Sequence, residues 1–189
     1  MTRKRLVFVF AAIALIMSGL VLMEVLTRSP KISIAPKEND SQGRGSGRKV
    51  LPNVTLTNAI TKTAIQLQQF KGKVVFINFW AGWCDACVEE MPSIIALNNL
   101  LKDDGFVVVS VNFDDNPEKE VPLLIQALKL NFPVYTDKEE ALASAFNVVA
   151  LPLTVVADRD QNIVLTESGA RDWASDSIIK EMRELLLKK

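Results

Sequence analysis

The stretch NFWAGWCDACVEEMP, residues 78–92, carries the only two cysteines of a 189-residue chain, Cys84 and Cys87. The run ahead of it, KVVFINFW (73–80), is almost continuously apolar between Gly72 and Gly82, as a strand buried on both faces should be. After the cysteines a helical pattern runs from about Asp85 to Lys102, with Met91, Ile94, Ile95, Leu97, Leu100 and Leu101 on one side, and Gly105 supplies its stop. The pair therefore stands where a buried strand turns into a helix, and that junction decides the fold.

Outward from it the alternation repeats. VTLTNAITKTAIQLQQF (54–70) reads as a hairpin or short strands around Asn58 and Ala59, FVVVSVNF (106–113) as a second buried strand, and residues 116–131 as a helix with Pro117 at its start. FPVYTD is a short strand, 138–148 a short helix, 153–158 a strand, DRDQ a turn and 162–170 the return of a hairpin; an amphipathic helix starts at Asp172. This order predicts an α/β fold: a mixed sheet, parallel in the middle and antiparallel at one edge, with helices on both faces.

The absence of histidine narrows the chemistry of the cysteines. A structural zinc site needs four Cys or His ligands, c-type haem attachment needs His where Val88 stands, and copper or cysteine-hydrolase sites need a histidine ligand or base. Two readings survive: inert buried thiols, or a dithiol/disulfide couple. At a helix N-terminus unpaired N–H groups stabilise a thiolate on Cys84, and Cys87 lies one turn deeper, within reach of a mixed disulfide. Spacing and setting together favour the redox couple, with no cofactor beyond the Cys84–Cys87 disulfide.

The front of the chain is different. Eighteen uncharged residues separate Arg5 from Glu24, preceded by Arg3, Lys4 and Arg5; about 18 residues at roughly 1.5 Å each nearly span a hydrocarbon core of about 30 Å. A cleaved signal would have an apolar region of about 7–15 residues and a small-residue cleavage site. VLMEVLTRSP offers none, so residues 1–26 are read as a signal anchor, with the basic cluster cytoplasmic and the rest exported. Residues 27–49, ending in a Gly/Ser/Arg tract, read as a flexible linker, and the folded domain spans 50–189. That domain holds 13 basic and 19 acidic residues, a net of −6 with no basic stripe, which argues against a nucleic-acid partner.

FINFWAGWCDACVEEMP resembles the active-site segment of the thioredoxin superfamily, and within it the exported, membrane-anchored thiol–disulfide oxidoreductases of the TlpA/ResA and cytochrome c biogenesis type. VNFDDNPEKE, FPVYTD and VVALPLTVVAD extend the likeness from about Val50 to the C-terminus. The resemblance implies a thioredoxin-like fold with an N-terminal β-hairpin and a helical insertion. It implies Cys84 as the attacking and Cys87 as the resolving cysteine. Trp83 becomes the aromatic shield of the attacking sulfur, and Leu151-Pro152 a cis-proline loop that receives a substrate strand. Glu90 becomes a buried acid that exchanges a proton as Cys87 reacts. Ordinary thioredoxins place an aspartate on the strand where Asn78 stands, so the acid has moved from strand to helix.

Asp85-Ala86 departs from the pattern, since many relatives have proline before the second cysteine. Asp85 disfavours a Cys84 thiolate by like-charge repulsion and so favours a reducing couple, yet an acid also suits a helix start. The implied function is reduction of protein disulfides, as in cytochrome c maturation, with apocytochrome c or a maturation factor as substrate. A membrane electron donor would renew the dithiol, and the domain would stand on the periplasmic side of a bacterial inner membrane. The alternatives are a periplasmic disulfide oxidant or isomerase, and a thioredoxin-like binding module without catalysis.

Overall fold

A computed structural model describes residues 49–188. The expected anchor at 1–26 and all but the last residue of the linker lie outside these residues. Among the described residues no helix is long and apolar enough to cross a membrane.

The sheet has seven strands: β1 (Thr55–Asn58), β2 (Ala64–Gln66), β3 (Val74–Trp80), β4 (Phe106–Asn112), β5 (Val134–Thr136), β6 (Leu153–Ala157) and β7 (Ile163–Ser168). Their spatial order is β2-β1-β5-β4-β3-β6-β7. β3, β4 and β5 run parallel, and β6 and β7 return antiparallel on one side. The N-terminal hairpin docks antiparallel on β5, pairing Thr57 with Thr136. Antiparallel pairing therefore closes both edges, where the sequence predicts one; the second comes from a contact 79 residues long, which local periodicity does not encode.

The helices are α1 (Asp85–Leu101), α2 (Pro117–Leu128), α3 (Ala141–Phe146) and α4 (Asp176–Leu187). Every residue of β3 is buried, because alternate side chains serve two cores. Phe76 and Trp80 point into the core formed with α1, α2 and α4, whereas Val75, Ile77 and Phe79 face α3. The Phe76 ring lies 5.8 Å from that of Phe106 and stands edge-on to Trp173 at 4.8 Å.

Several boundaries depart from expectation for identifiable reasons. Residues 67–70 form a 3-10 turn rather than strand. α2 stops at Leu128 because Lys129 adopts a left-handed φ of 55°, and α3 is bounded by left-handed Glu140 and Asn147. α4 begins four residues later than the pattern suggests, since Trp173 is drawn into the core as part of a loop. Leu100 is 49% exposed, in the last turn of α1, rather than packed with its helical neighbours.

The strand register fixes the poles of the molecule. β3 ends at the cysteine loop, Leu153 pairs with Phe79 at that end, and Ala157 pairs with Val75 at the other. At the far pole Ile163 N–H donates to Lys49 O (2.7 Å), and Val50 bridges to Asn162.

Candidate active site

The site is built on the turn from β3 into α1. Cys84 is the N-cap of α1, with extended backbone (φ −93°, ψ 99°), and its sulfur accepts the N–H of Cys87 at 3.3 Å. Cys84 and Cys87 are joined as a disulfide. Cys84 is partly exposed whereas Cys87 is wholly buried, so the two sulfurs differ in what can reach them. Asp85 and Ala86, between them, face solvent. The orphan N–H groups of the first turn stabilise negative charge on the sulfur of Cys84, while the exposed Asp85 opposes it.

Two flanking features shape the approach. Trp83 is 65% exposed beside Cys84. Leu151, half-buried, and Pro152, buried behind a cis peptide bond, enter β6 at the same end of the sheet, and the carbonyl of Pro152 accepts Gly169 N–H. Cys84 and Leu151 pack against the same core.

Glu90 lies one turn beyond Cys87 and is only 3% exposed, whereas its neighbour Glu89 is exposed. Its Oε1 accepts from Asn78 Nδ2 (2.9 Å), and its Oε2 from Trp173 Nε1 (2.9 Å) and the backbone N–H of Arg171 (3.2 Å). Asn78 Nδ2 also donates to Thr154 Oγ1 (3.0 Å), and its own buried Oδ1 has no protein partner among the described residues. Burial pushes the carboxyl of Glu90 above the ordinary glutamate range, against the pull of those donors, Trp173 foremost. A cleft of about 330 Å³ between α1 and the β7–α4 loop, lined by Glu90, Ser93, Arg171 and Asp172 among others, reaches this acid from outside.

The direction of that shift carries a linkage prediction. The folded chain holds the Glu90 proton more tightly than the unfolded chain, so stability is fullest below the ordinary glutamate value. It falls as pH rises from that value to the raised one, and is level beyond. Glu90→Gln removes the slope, and its amide can donate to Asn78 once that side chain turns its unpaired Oδ1 inward. Thermal midpoints of the variant relative to the natural chain should therefore rise across this window; a difference independent of pH would contradict the assignment.

Four residues of the site went unread in the sequence. Asp114, 6% exposed, takes the N–H of Gly82 on both carboxylate oxygens (2.9 and 3.0 Å) and so anchors the turn just ahead of Trp83 and Cys84. Asn112 Nδ2 holds Asp114 in turn at 2.6 Å. At Gly82 a Cβ would lie 2.8 Å from Leu124 Cδ1 and 3.3 Å from Asp114 Oδ2, so a larger residue would have to displace the Leu124 tip and crowd the Asp114 carboxylate. Arg171 and Trp173 close over Glu90; the first lies between the expected hairpin and helix, the second within the segment read as helix. Two polar residues ending a buried strand, and a lone tryptophan in the polar run ARDWASD, were the available signals.

Comparison with known proteins agrees with this geometry. The Redoxin family model matches residues 46–182. A thiol-disulfide oxidoreductase ResA of Bacillus thuringiensis subsp. konkukian is 32% identical over 141 residues, 75% of this chain and 76% of that protein. The ResA of Bacillus subtilis is 30% identical over 152 residues, covering 80% of this chain and 79% of that one. A crystal structure of a DsbE-type thiol:disulfide interchange protein from Chlorobium tepidum superposes with a TM-score of 0.65 at 25% identity, covering 73% of this chain and 96% of its own.

Proposed function

The chain belongs to the Redoxin family and is a thiol–disulfide oxidoreductase of the ResA type with a thioredoxin-like fold, and from that premise we propose that it reduces disulfides of exported proteins through Cys84 and Cys87. The observation that carries the reading is the cysteine pair at the N-terminus of α1, one sulfur accessible and one buried, with a buried carboxyl one turn further on.

The cycle begins from the dithiol. The Cys84 thiolate attacks a substrate disulfide, forming a mixed disulfide and expelling one substrate thiolate. Cys87 gives its proton to Glu90 and attacks the Cys84 sulfur, expelling the second substrate thiolate and leaving the Cys84–Cys87 disulfide. Two electrons and two protons, supplied by a dithiol carrier in the membrane, restore the starting state. The substrate strand lies along Leu151-Pro152, with Trp83 over the reacting sulfur. Asp85 favours the reducing direction, because a negative charge beside Cys84 makes its thiolate costlier and the disulfide relatively more stable.

Export and tethering are supported by the uncharged run behind Arg3, Lys4 and Arg5, and supply of reduced cysteines for cytochrome c maturation by the family resemblance drawn above. The test is capture: the full chain carrying Cys87→Ser, expressed in its own membrane, should accumulate a mixed disulfide at Cys84 whose partner mass spectrometry identifies. If nothing is captured and the natural chain leaves insulin disulfides intact, the binding-module alternative replaces this reading.

A further inference from the structure

Resting on the reading of Glu90 as the group that takes the Cys87 proton, we propose that Trp173 is a positioning residue for this reaction: its indole holds Oε2 of Glu90, so that the transferred proton lands on Oε1. The inference follows from what each neighbour of the carboxyl group can do. Oε2 faces two donors, the indole N–H of Trp173 and the backbone N–H of Arg171. Neither can accept a hydrogen bond, so a proton on Oε2 would face two donors and find no acceptor in either. Oε1 faces the Asn78 amide, and an amide can present either its N–H₂ or its oxygen. The buried, unpaired Oδ1 of Asn78 is an acceptor that serves once the amide turns over to meet a protonated Oε1.

The β7–α4 loop is held firmly enough for this. Trp173 is fully buried, its ring wedged edge-on against Phe76, with the Arg171 guanidinium 5.6 Å from its centroid. Its backbone N–H donates to Ser93 Oγ (3.0 Å), which donates to the carbonyl of Glu90 itself (2.7 Å). The loop and the helical turn that carries the acid are thus tied together through Ser93. The charged or titratable groups around Glu90 are Cys87 and Glu89 on α1, Arg171 and Asp172 on the loop, and Glu167 of β7, ion-paired to Arg171 at 3.1 Å. β3 and β6 present only the neutral Asn78 and Thr154.

The step balances without an external reagent. The Cys87 S–H bond breaks and a Glu90 O–H bond forms; no electrons change owner until the new thiolate attacks Cys84 and the substrate thiolate departs.

The test uses the full chain in its dithiol form. In the natural protein the ¹H–¹⁵N signal of the Trp173 indole should titrate in one step, with the midpoint of the pH limb seen in the rate of the resolving step, and Glu90→Gln should abolish both. Trp173→Phe, which keeps a ring and loses the N–H, should move that limb to higher pH, because the carboxylate loses a donor that favoured it. A merely structural role would lower the thermal midpoint and leave the limb in place. An indole signal that ignores pH, or a folded Trp173→Phe chain with an unmoved limb, overturns the proposal while the Glu90 reading stands. If Glu90→Gln leaves the limb unchanged, the Glu90 reading itself fails. Should Trp173→Phe not fold, the indole titration of the natural protein decides alone.

Discussion

Cys84→Ser is expected to lose disulfide reduction down to the uncatalysed rate, a fall of at least about a thousandfold on the scale that loss of an attacking nucleophile costs. The reason is access combined with acidity. Cys87 is wholly buried, so a protein disulfide can be reached only by the sulfur at position 84. A serine hydroxyl there stays protonated at any physiological pH, even with the first-turn N–H groups to stabilise its anion. Cys87→Ser must fail differently: it attacks once, cannot resolve, and remains joined to its substrate. Insulin reduction with a dithiol supply measures the first property, and a non-reducing gel the second. Loss of activity in both variants with capture by Cys87→Ser alone is the expected pattern; capture by Cys84→Ser would reverse the roles assigned to the two sulfurs.

The second large effect concerns stability. Phe76→Ala should destabilise the fold by about 3–5 kcal/mol, a large part of the roughly 5–15 kcal/mol that a domain of this kind has in total. Phe76 stands at the middle of β3 with no exposed surface, and its ring supports Phe106 on one side and Trp173 on the other. Removing it opens a cavity beneath α1 and withdraws the surface against which Trp173 is braced. Val149→Ala is the control: at 84% exposure it should change stability by less than about 0.5 kcal/mol. Urea unfolding of the full chain compares the two, and equal midpoints would mean that the core is not organised around this ring.

Much of this could be seen in the residues alone, and the exceptions share a cause. β3 and β4 are legible because strands buried on both faces admit almost no polar residue. The start of α1 is legible because Cys84 and Asp85 follow closely on a strand, and its end to within a turn, because α1 stops at Leu101 and the 3-10 turn Lys102–Asp104 after it is capped by Gly105 at a left-handed φ of 95°. The cysteine pair was readable from spacing, and Glu90 from its helical position together with the family likeness. Asp114, Arg171 and Trp173 were not, since each acts across 32, 81 or 83 residues of chain on Gly82 or Glu90. Asp172 looked like a helix start, but burial of Trp173 overrode local preference and delayed α4 to Asp176. The docking of the hairpin on β5 was hidden for the same reason: register between distant strands is written in neither.

The far pole of the sheet has a practical side. Lys49 and Val50 join the domain beside Ile163 and Asn162, a β3 length away from Cys84, or roughly 20 Å at about 3.3 Å per strand residue. An affinity handle, a fluorescent protein or a chip-bound linker attached ahead of Lys49 therefore joins where it neither crosses Leu151-Pro152 nor overlies Trp83. Immobilised through that end, every molecule on a sensor surface would present its dithiol to the flowing sample.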